Sequence, residues 1–171
     1  MEEASGGAQL SGTYATAIVV LSDRAASGER ADACIPAVRE ALDARFAIEI
    51  ERVLPDDAAA LSAELIELAD VRSLALVITS GGTGLGPRDR TPQATAAVLD
   101  YEVPGIAEAM RASSARYVKT AMLSRAIAGV RGRTLIVNLP GNPKAVRETL
   151  DVLLPALPHA LDLLSGGVKD G

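Results

Sequence analysis

Two short loops contain the residues whose types and spacing are suited to chemistry. The first runs from Ser80 to Asp89 and reads SGGTGLGPRD, with four glycines in six positions before an arginine and an aspartate. Glycine allows a positive φ and carries no Cβ, so successive backbone N–H groups can converge on an anion such as phosphate. We predict that the following residues of this glycine loop bind substrate: Ser80, Gly81, Gly82, Thr83, Gly84 and Arg88.

The glycine loop differs from two better-known phosphate-binding patterns. Gly81 and Gly86 have the spacing of a P-loop, but Pro87 and Arg88 stand where that motif needs Lys and then Ser or Thr. A dinucleotide-binding G-x-G-x-x-G that begins at Gly82 requires a glycine where the chain has Pro87. The sequence therefore excludes a Walker A site and disfavours dinucleotide binding.

The second loop runs from Asn138 to Lys144 and reads NLPGNPK. A structural interpretation is sufficient by itself, because Pro-Gly turns the chain and Asn142 can cap the helix that follows. A functional interpretation adds that this asparagine loop lines the same rim as the glycine loop, with Lys144 supplying positive charge near a helix start. We predict that the following residues of this loop bind substrate: Asn138, Pro140, Gly141, Asn142 and Lys144.

Strands that alternate with helices must position these two loops. The apolar runs at 16–22, 74–80 and 134–139 are typical of strands buried in a parallel sheet. The segment 46–54 alternates in polarity, which predicts a strand at or near a sheet edge. Glycines 129 and 132 indicate an antiparallel hairpin into the last run. The alternation predicts a single domain, a three-layer α/β/α sandwich with a mostly parallel sheet.

Amphipathic segments between these runs predict the helices. One begins near Cys34, and another follows Asp56 and Asp57, either of which can start it. Thr91 followed by Pro92 is typical of an N-cap and a first helical residue. Further helices are predicted at 106–118, at 120–128, and at 143–164 with a break near residues 155–158.

Composition excludes several classes of function. The net charge of −5 and the aromatic content of 2% disfavour nucleic acid as a partner. One cysteine, Cys34, and one histidine, His159, cannot form a disulfide framework or a zinc site, so any metal must bind to oxygen atoms. No apolar run approaches the ~20 residues that cross a bilayer. The acidic start is unlike a signal peptide, so we expect a cytoplasmic protein without membrane contact.

Several segments, in order, resemble the MogA/MoaB family of molybdenum-cofactor proteins. They are LSD (21–23), VLPDD (53–57), TSGGTGLGPRDRTPQAT (79–95), AMLSRAIAGVRG (121–132) and NLPGNPKAV (138–146). The C-terminal segment LLPALPHALDLL is also similar to the G domains of gephyrin and of the plant molybdenum-insertase fusion, which form the adenylyltransferase branch. The resemblance predicts a MogA/MoaB-like molybdopterin-binding domain over residues 14–171, after a flexible tail over residues 1–13.

The resemblance implies a molybdopterin adenylyltransferase of molybdenum-cofactor biosynthesis, which transfers AMP from ATP to the terminal phosphate of molybdopterin and releases pyrophosphate. Motif position makes Asp56 and Asp89 the catalytic carboxylates and the Mg²⁺ ligands, with ATP and molybdopterin as substrates. Many relatives have Glu where this chain has Asp57, which leaves Asp56 and Asp57 as alternatives for the metal-proximal carboxylate. Ser22 is predicted to bind substrate from the same rim. The family also implies a homotrimer and points to the molybdenum-insertion enzyme as a partner.

Two other interpretations remain open. In a purely structural one, Asp56 caps a helix and Asp89 closes a turn before Thr91. In a functional one, the chain is a non-catalytic MoaB-type molybdopterin-binding or scaffold protein. Binding of molybdopterin without ATP consumption distinguishes this binder from the enzyme.

Overall fold

The computed structural model describes residues 12–167, which form one sheet with helices on both faces. The strands are β1 (Tyr14–Leu21), β2 (Phe46–Leu54), β3 (Leu76–Ser80), β4 (Tyr101–Glu102), β5 (Ala128–Arg131) and β6 (Thr134–Leu139). The helices are α1 (Asp23–Ala26), α2 (Cys34–Ala41), α3 (Ala58–Ile66), α4 (Thr91–Ala96), α5 (Pro104–Ser114), α6 (Pro143–Leu153) and α7 (Leu157–Ser165). A π-helical segment, Glu67–Val71, continues α3, and a 3₁₀ segment, Lys119–Leu123, follows α5. The predicted tail falls almost entirely outside the described residues.

The strand order is β2-β1-β3-β6-β5-β4. Strands β2, β1, β3 and β6 pair in parallel, whereas β5 runs antiparallel to β6 and to β4. The prediction of β2 at an edge is confirmed, and so is the hairpin, whose turn contains Gly132 at φ 59°. The predicted α/β/α class with a mostly parallel sheet is therefore confirmed.

The two faces of the sheet each carry a separate aliphatic core. Along β1, Ile18 and Val20 pack against α2, α5, α6 and α7, whereas Ala17 and Val19 pack on the other face against α3 and α4. These side chains are at most 3% exposed. Full burial of one large aliphatic side chain contributes about 1.5–3 kcal/mol, so the two cores hold the sheet as a rigid platform for the loops. None of the described helices is long and apolar enough to span a membrane.

Two local predictions are wrong. Thr91 is the first residue of α4 and not its N-cap, because its hydroxyl donates to the carbonyl of Gly81 at 2.9 Å and ties the helix to the glycine loop. The helix predicted at 120–128 is only the short 3₁₀ segment. Its second half runs into the sheet, where the carbonyl of Ile127 accepts from the backbone N–H of Asn138 at 3.0 Å. Sheet pairing replaces helical bonding there.

The connections that leave β1 and β3 place a crevice at one end of the sheet. Strand β1 lies between β2 and β3 in the sheet. After β1 the chain forms β2 on one side of it, and then β3 on the other side, so the strand order reverses at β1. In such sheets, ligands bind outside the carboxyl ends of the strands at this switch point. Ser22 follows β1 there, and the glycine loop follows β3. The fold therefore brings the predicted loops to one rim.

Candidate anion-binding and carboxylate site

A cleft of about 410 Å³ lies beyond the carboxyl ends of four parallel strands. Each strand contributes the residues that follow it: Ser22 after β1, Asp56 after β2, Gly81 and Gly82 after β3, and Gly141 after β6. The segment 30–34, which leads into α2, forms the remaining wall. Residues that are distant in the sequence thus share one cavity because the parallel strands end together.

The structure brings Asp56 and Asp89 into this cleft. A Cβ atom added to Gly82 would lie 3.6 Å from Oδ1 of Asp56, so this carboxylate faces the glycine loop. Oδ2 of Asp89 accepts from the backbone N–H of Gly86 at 2.9 Å, which closes a turn as the structural interpretation expects. Within residues 12–167, Oδ1 of Asp89 has no hydrogen-bond partner, so one oxygen is left for a ligand.

The neighbouring Asp57 has a structural task. Its Oδ1 accepts from the backbone N–H of Ala60 at 2.8 Å, as expected of an N-cap of α3. The structural interpretation in which Asp56 caps this helix is therefore wrong. Because Asp57 takes that role, Asp56 is left to face the cleft.

Asp23 is bonded to Asp56 in both directions. The backbone N–H of Asp23 donates to Oδ2 of Asp56 at 3.1 Å, and the N–H of Asp56 donates to Oδ1 of Asp23 at 2.9 Å. Arg88 completes the arrangement, with Nε and Nη2 donating to the Asp23 carboxylate at 2.7 and 2.9 Å. Arg88 is thus already paired, and Nη1 is the guanidinium nitrogen that has no hydrogen-bond partner within the described chain.

The pKa values of the two carboxyl groups are shifted in opposite directions. The hydrogen-bonded guanidinium of Arg88 lowers the pKa of Asp23 below its usual value, and the N–H of Asp56 adds to this effect. Burial raises the pKa of Asp56, and the negative charges of Asp23 and Asp89 raise it further. A carboxylate whose ionised form is disfavoured in this way is stabilised by a cation brought beside it.

The first half of the glycine loop is tied down through its carbonyl oxygens. Those of Gly81 and Gly82 accept from the hydroxyl and the backbone N–H of Thr91, at 2.9 and 3.1 Å. Gly81 and Gly82 have φ values of 100° and 68°, and a Cβ at either position would lie within 2.4 Å of a neighbouring oxygen. Only glycine fits these two positions.

The second half of the loop is tied down through its carbonyls by Arg125. The backbone N–H of Arg125 donates to the carbonyl of Thr83 at 2.9 Å, and its Nε donates to that of Gly84 at 2.8 Å. In a trans peptide the C=O and N–H point in opposite directions. The N–H groups of residues 82–85 therefore point away from these partners, and none has an acceptor within the described chain. Four successive donors are thus without an acceptor in the described chain, and of these four residues Gly82 lines the cleft.

The asparagine loop packs against the glycine loop but offers fewer free groups. Ser80 Oγ donates to the carbonyl of Pro140 at 2.8 Å, and a Cβ at Gly141 would lie 3.1 Å from the Cα of Gly81. Oδ1 of Asn142 accepts from the N–H groups of residues 144 and 145, which confirms the predicted cap of α6. The side chain of Lys144 is 83% exposed, and its Nζ lies 3.8 Å from a carboxylate oxygen of Glu148.

The structure contradicts the prediction that the side chain of Asn138 binds substrate. It is fully buried, and its Nδ2 donates to the hydroxyls of Thr79 and Thr95 at 2.9 and 3.0 Å. Its Oδ1 accepts from the backbone N–H of Ile127 at 3.3 Å. The side chain joins β6 to β3, α4 and the segment before β5, so it has no polar atom free for a substrate.

A second cavity, of about 310 Å³, lies on the other side of the asparagine loop between α5, the 3₁₀ segment and α6. Its lining is largely apolar and includes Met110, Val118 and Ala121. Lys144 lines this cavity and not the carboxylate cleft, whereas Asn142 lines both. The asparagine loop is thus the partition between two adjoining cavities.

Sequence reasoning missed two arginines of this region. Arg30 lines the cleft, and its position follows from the topology, because the segment after β1 must pass the crevice. Arg125 holds the glycine loop and lies within a segment that matches the family, but the segment was predicted as helix. Cys34 is a small buried residue: it is 6% exposed, and burial raises the pKa of its thiol.

The fold and the site define an α/β protein with a crevice lined by a glycine loop and two carboxylates. A family model described as "Probable molybdopterin binding domain" matches residues 17–159, and the chain belongs to this family. It is 42% identical to the molybdopterin adenylyltransferase of Escherichia coli K12 over 170 residues, which covers 90% of this chain and 87% of that protein.

Two further comparisons extend the family relationship. A crystal structure of the molybdopterin biosynthesis enzyme MoaB from Thermus thermophilus superposes with a TM-score of 0.86 at 48% identity, covering 90% of this chain and 98% of that one. Gephyrin from Dictyostelium discoideum is 42% identical over 122 residues, which is 71% of this chain but 17% of that protein. The resemblance to MogA and MoaB proteins is confirmed.

Proposed function

We propose that this chain is a molybdopterin adenylyltransferase, which transfers AMP from ATP to the terminal phosphate of molybdopterin and releases pyrophosphate. A relative of that name matches nine-tenths of the chain. The observation that carries the proposal is the position of Asp56 and Asp89 in one cleft, beside the free backbone amides of the glycine loop. Asp56 and Asp89 are the proposed catalytic residues.

The reaction brings two anions together, so the protein must position them and neutralise charge more than supply a nucleophile. The N–H groups of residues 82–85 are fixed donors that need no reorganisation when charge develops on a phosphate. Ser22 Oγ accepts from the N–H of Ala25 at 3.2 Å, which leaves its own O–H to donate to a ligand. Arg30, exposed at the cleft wall, supplies a positive charge.

Asp56 and Asp89 fit a magnesium ion by the chemistry of their donors. Mg²⁺ prefers one or two carboxylates together with phosphate oxygens and waters. Among residues 12–167 no group of three or more His, Cys, Asp or Glu is arranged to hold a metal, so an ion at this pair needs substrate or water oxygens as well. Bound there, Mg²⁺ would neutralise charge on the nucleotide phosphates.

Two adjoining cavities support a reaction between two substrates. The cleft with the carboxylates is mostly polar in character, and the cavity beyond the asparagine loop is largely apolar, which suits a flat heterocyclic ring. Asn142 belongs to both. A ligand in each cavity would meet its neighbour at this loop, where a phosphate of one can reach the other.

The proposal includes the partner, the location and the oligomeric state of the enzyme. A domain like this one occurs within the longer gephyrin chain, which supports a link between this reaction and the molybdenum-insertion enzyme. We further propose a cytoplasmic homotrimer, as the family resemblance implies. Multi-angle light scattering of the purified protein tests the trimer, and a monomeric mass would contradict it.

The experiment that tests the proposed function measures pyrophosphate release from ATP in the presence of molybdopterin and Mg²⁺. Asp89→Asn should lower kcat by about 100-fold or more, because removal of a charge-stabilising group from an active site has effects of this size. Asp100→Asn is the matched control. Asp100 also accepts a backbone N–H, that of Gly132 at 2.7 Å, but at the far end of the sheet.

Two outcomes would contradict the proposal. Normal turnover by Asp89→Asn would show that this carboxylate has no catalytic role. Binding of molybdopterin by the wild-type protein without any consumption of ATP would favour the non-catalytic binder instead.

A further inference from the structure

Arg125 makes three contacts with the backbone of the glycine loop although it lies 36 residues after Asp89, the last residue of that loop. Its N–H donates to the carbonyl of Thr83 at 2.9 Å, and its Nε donates to that of Gly84 at 2.8 Å. Its Nη2 donates to the carbonyl of Asp89 at 2.5 Å. The side chain is half-buried behind the loop and is absent from the lining of the carboxylate cleft.

We propose that Arg125 is a positioning residue that turns the amides of the glycine loop toward an anionic ligand. The guanidinium holds the carbonyls of Gly84 and Asp89, so in these trans peptides the N–H groups of Leu85 and Arg90 point away from it. The backbone N–H of Arg125 orients the N–H of Gly84 in the same way through the carbonyl of Thr83. The loop is poor in side chains and cannot hold this orientation by packing. The inference rests on the proposed function only in taking the anion to be a substrate phosphate.

Arginine suits this task better than lysine. Its planar guanidinium presents several donors in a fixed fork, which reaches the carbonyls of Gly84 and Asp89 together. Lysine offers one compact ammonium group on a flexible stem and cannot hold two peptide units at a set angle. Because Asp89 is one of the proposed catalytic residues, the same contact also fixes the backbone from which its carboxylate projects.

The chain contains a matched arginine at the other end of the sheet. Nη1 of Arg131 donates to the carbonyl of Val98 at 2.8 Å, and its Nε and Nη2 donate to the carboxylate of Asp70 at 2.9 and 2.6 Å. Arg131 lies in the hairpin at the start of β6, whereas the cleft lies beyond the other end of β6. Removal of Arg131 therefore loses similar bonds without touching the glycine loop.

The test is a titration of the ¹⁵N-labelled protein with inorganic pyrophosphate, followed by the amide signals of residues 82–85. In the wild-type protein these signals should shift and saturate. In Arg125→Ala the apparent Kd should rise about tenfold, because the two charge-assisted bonds that orient the N–H groups of Leu85 and Arg90 are lost. The Leu85 signal should change most within residues 82–85. Arg131→Ala should retain the wild-type Kd. Dispersed spectra establish that each variant is folded.

A second variant and a rescue separate positioning from general stability. Arg125→Lys keeps the charge and should still bind pyrophosphate more weakly than the wild-type protein. Guanidinium ion, at concentrations too low to unfold the protein, should restore the response of Arg125→Ala and leave Arg131→Ala unchanged. If Arg125→Ala does not fold, the comparison of Arg125→Lys with the wild-type protein decides.

Two results would overturn the inference. The first is that Arg125→Lys binds pyrophosphate with the Kd and the amide shifts of the wild-type protein, and that Arg125→Ala, if it folds, does so too. The other is the absence of any shift at residues 82–85 in the wild-type protein. Failure of the proposed function looks different: the loop amides respond to pyrophosphate and depend on Arg125, but ATP and molybdopterin give no pyrophosphate.

Discussion

The glycine loop (80–89) and the asparagine loop (138–144) follow neighbouring parallel strands and touch one another, yet they differ in which polar groups are free. In the glycine loop the carbonyls are held by Thr91 and Arg125, and the N–H groups of residues 82–85 have no acceptor in the described chain. In the asparagine loop, Asn138 is buried with its amide fully bonded and Asn142 caps α6.

The difference shows that the number of polar residues in a loop does not measure its capacity to bind. Asparagines carry more hydrogen-bonding atoms than glycines, but buried polar atoms are almost always satisfied within the protein. The asparagine loop uses its atoms to join strands and to start a helix. The glycine loop has few polar side chains, and its backbone N–H groups are left as the candidate binding surface.

The largest effect on turnover should come from one methyl group in the glycine loop. Gly82→Ala places a Cβ 2.3 Å from Oγ1 of Thr91 at a φ of 68°, so the loop must move. We expect kcat/KM for pyrophosphate release to fall about 100-fold or more, since displacements near 1 Å in an active site have such effects. Steady-state kinetics measure this.

Gly132→Ala is the control for backbone strain alone. Gly132 has a similar φ of 59°, but a Cβ there meets nothing within 4 Å, and the hairpin lies away from the cleft. This variant should lose about 1–3 kcal/mol of stability and keep its kcat/KM. If Gly82→Ala kept the kinetic constants of the wild-type protein, the glycine loop would not be the binding surface.

A change in the asparagine loop should act on stability and not on substrate affinity. Asn138→Ala leaves the hydroxyls of Thr79 and Thr95 and the N–H of Ile127 without their partner. The free energy of unfolding should fall by about 3 kcal/mol, because stranded buried polar groups cost about 1–3 kcal/mol each and some of them find new partners. Urea unfolding at 25 °C measures this change.

Asn142→Ala is the reference variant against which the loss of stability in Asn138→Ala is compared. It removes an exposed N-cap, which costs about 1 kcal/mol. Should Asn138→Ala keep its stability and lose affinity for a substrate, our correction of Asn138 would be wrong and the original prediction of a substrate contact would be right.

The fold was predictable because the apolar runs are short, widely spaced and separated by helices. The segment 46–54 was predicted as an edge strand from its alternation, and β2 has those bounds and that place. The segment 120–128 was predicted as a helix because its local composition suits one. Its second half leads into β5, where Ile127 and Ala128 pair with β6 across the predicted hairpin, and this strand pairing replaces the helical bonds.

The sequence predicts the backbone conformation of the site where a motif determines it. It predicts less well which side chains pair with one another. Four glycines before Arg88 and Asp89 predict a turn with positive φ, and Gly81 and Gly82 adopt it. The pairing of Arg88 with Asp23 depends on the distance between two loops, which spacing in the chain does not reveal. Whether Asp56 or Asp57 caps α3 also required the structure.

The smallest effect concerns Asp56, whose carboxylate faces the glycine loop. It tests whether the ionised form of this carboxylate lowers the stability of the folded protein. Burial raises the pKa of Asp56, so the folded protein binds this proton more tightly than the unfolded chain does. The resulting contribution to stability is present below the ordinary pKa of about 4 and is lost as the pH rises through the raised value. At pH 7 the ionised carboxylate therefore destabilises the fold.

Asp56→Asn should accordingly be more stable than the wild-type protein at pH 7 in metal-free buffer, by less than about 1 kcal/mol because water screens a partly exposed group. The advantage should vanish below about pH 4. Asp23→Asn should behave in the opposite way. The pKa of Asp23 is lowered by Arg88, so its contribution is present above the ordinary value and is lost as the pH falls. Urea unfolding at both pH values measures the two signs, and equal signs would show that the two carboxylates share one structural role.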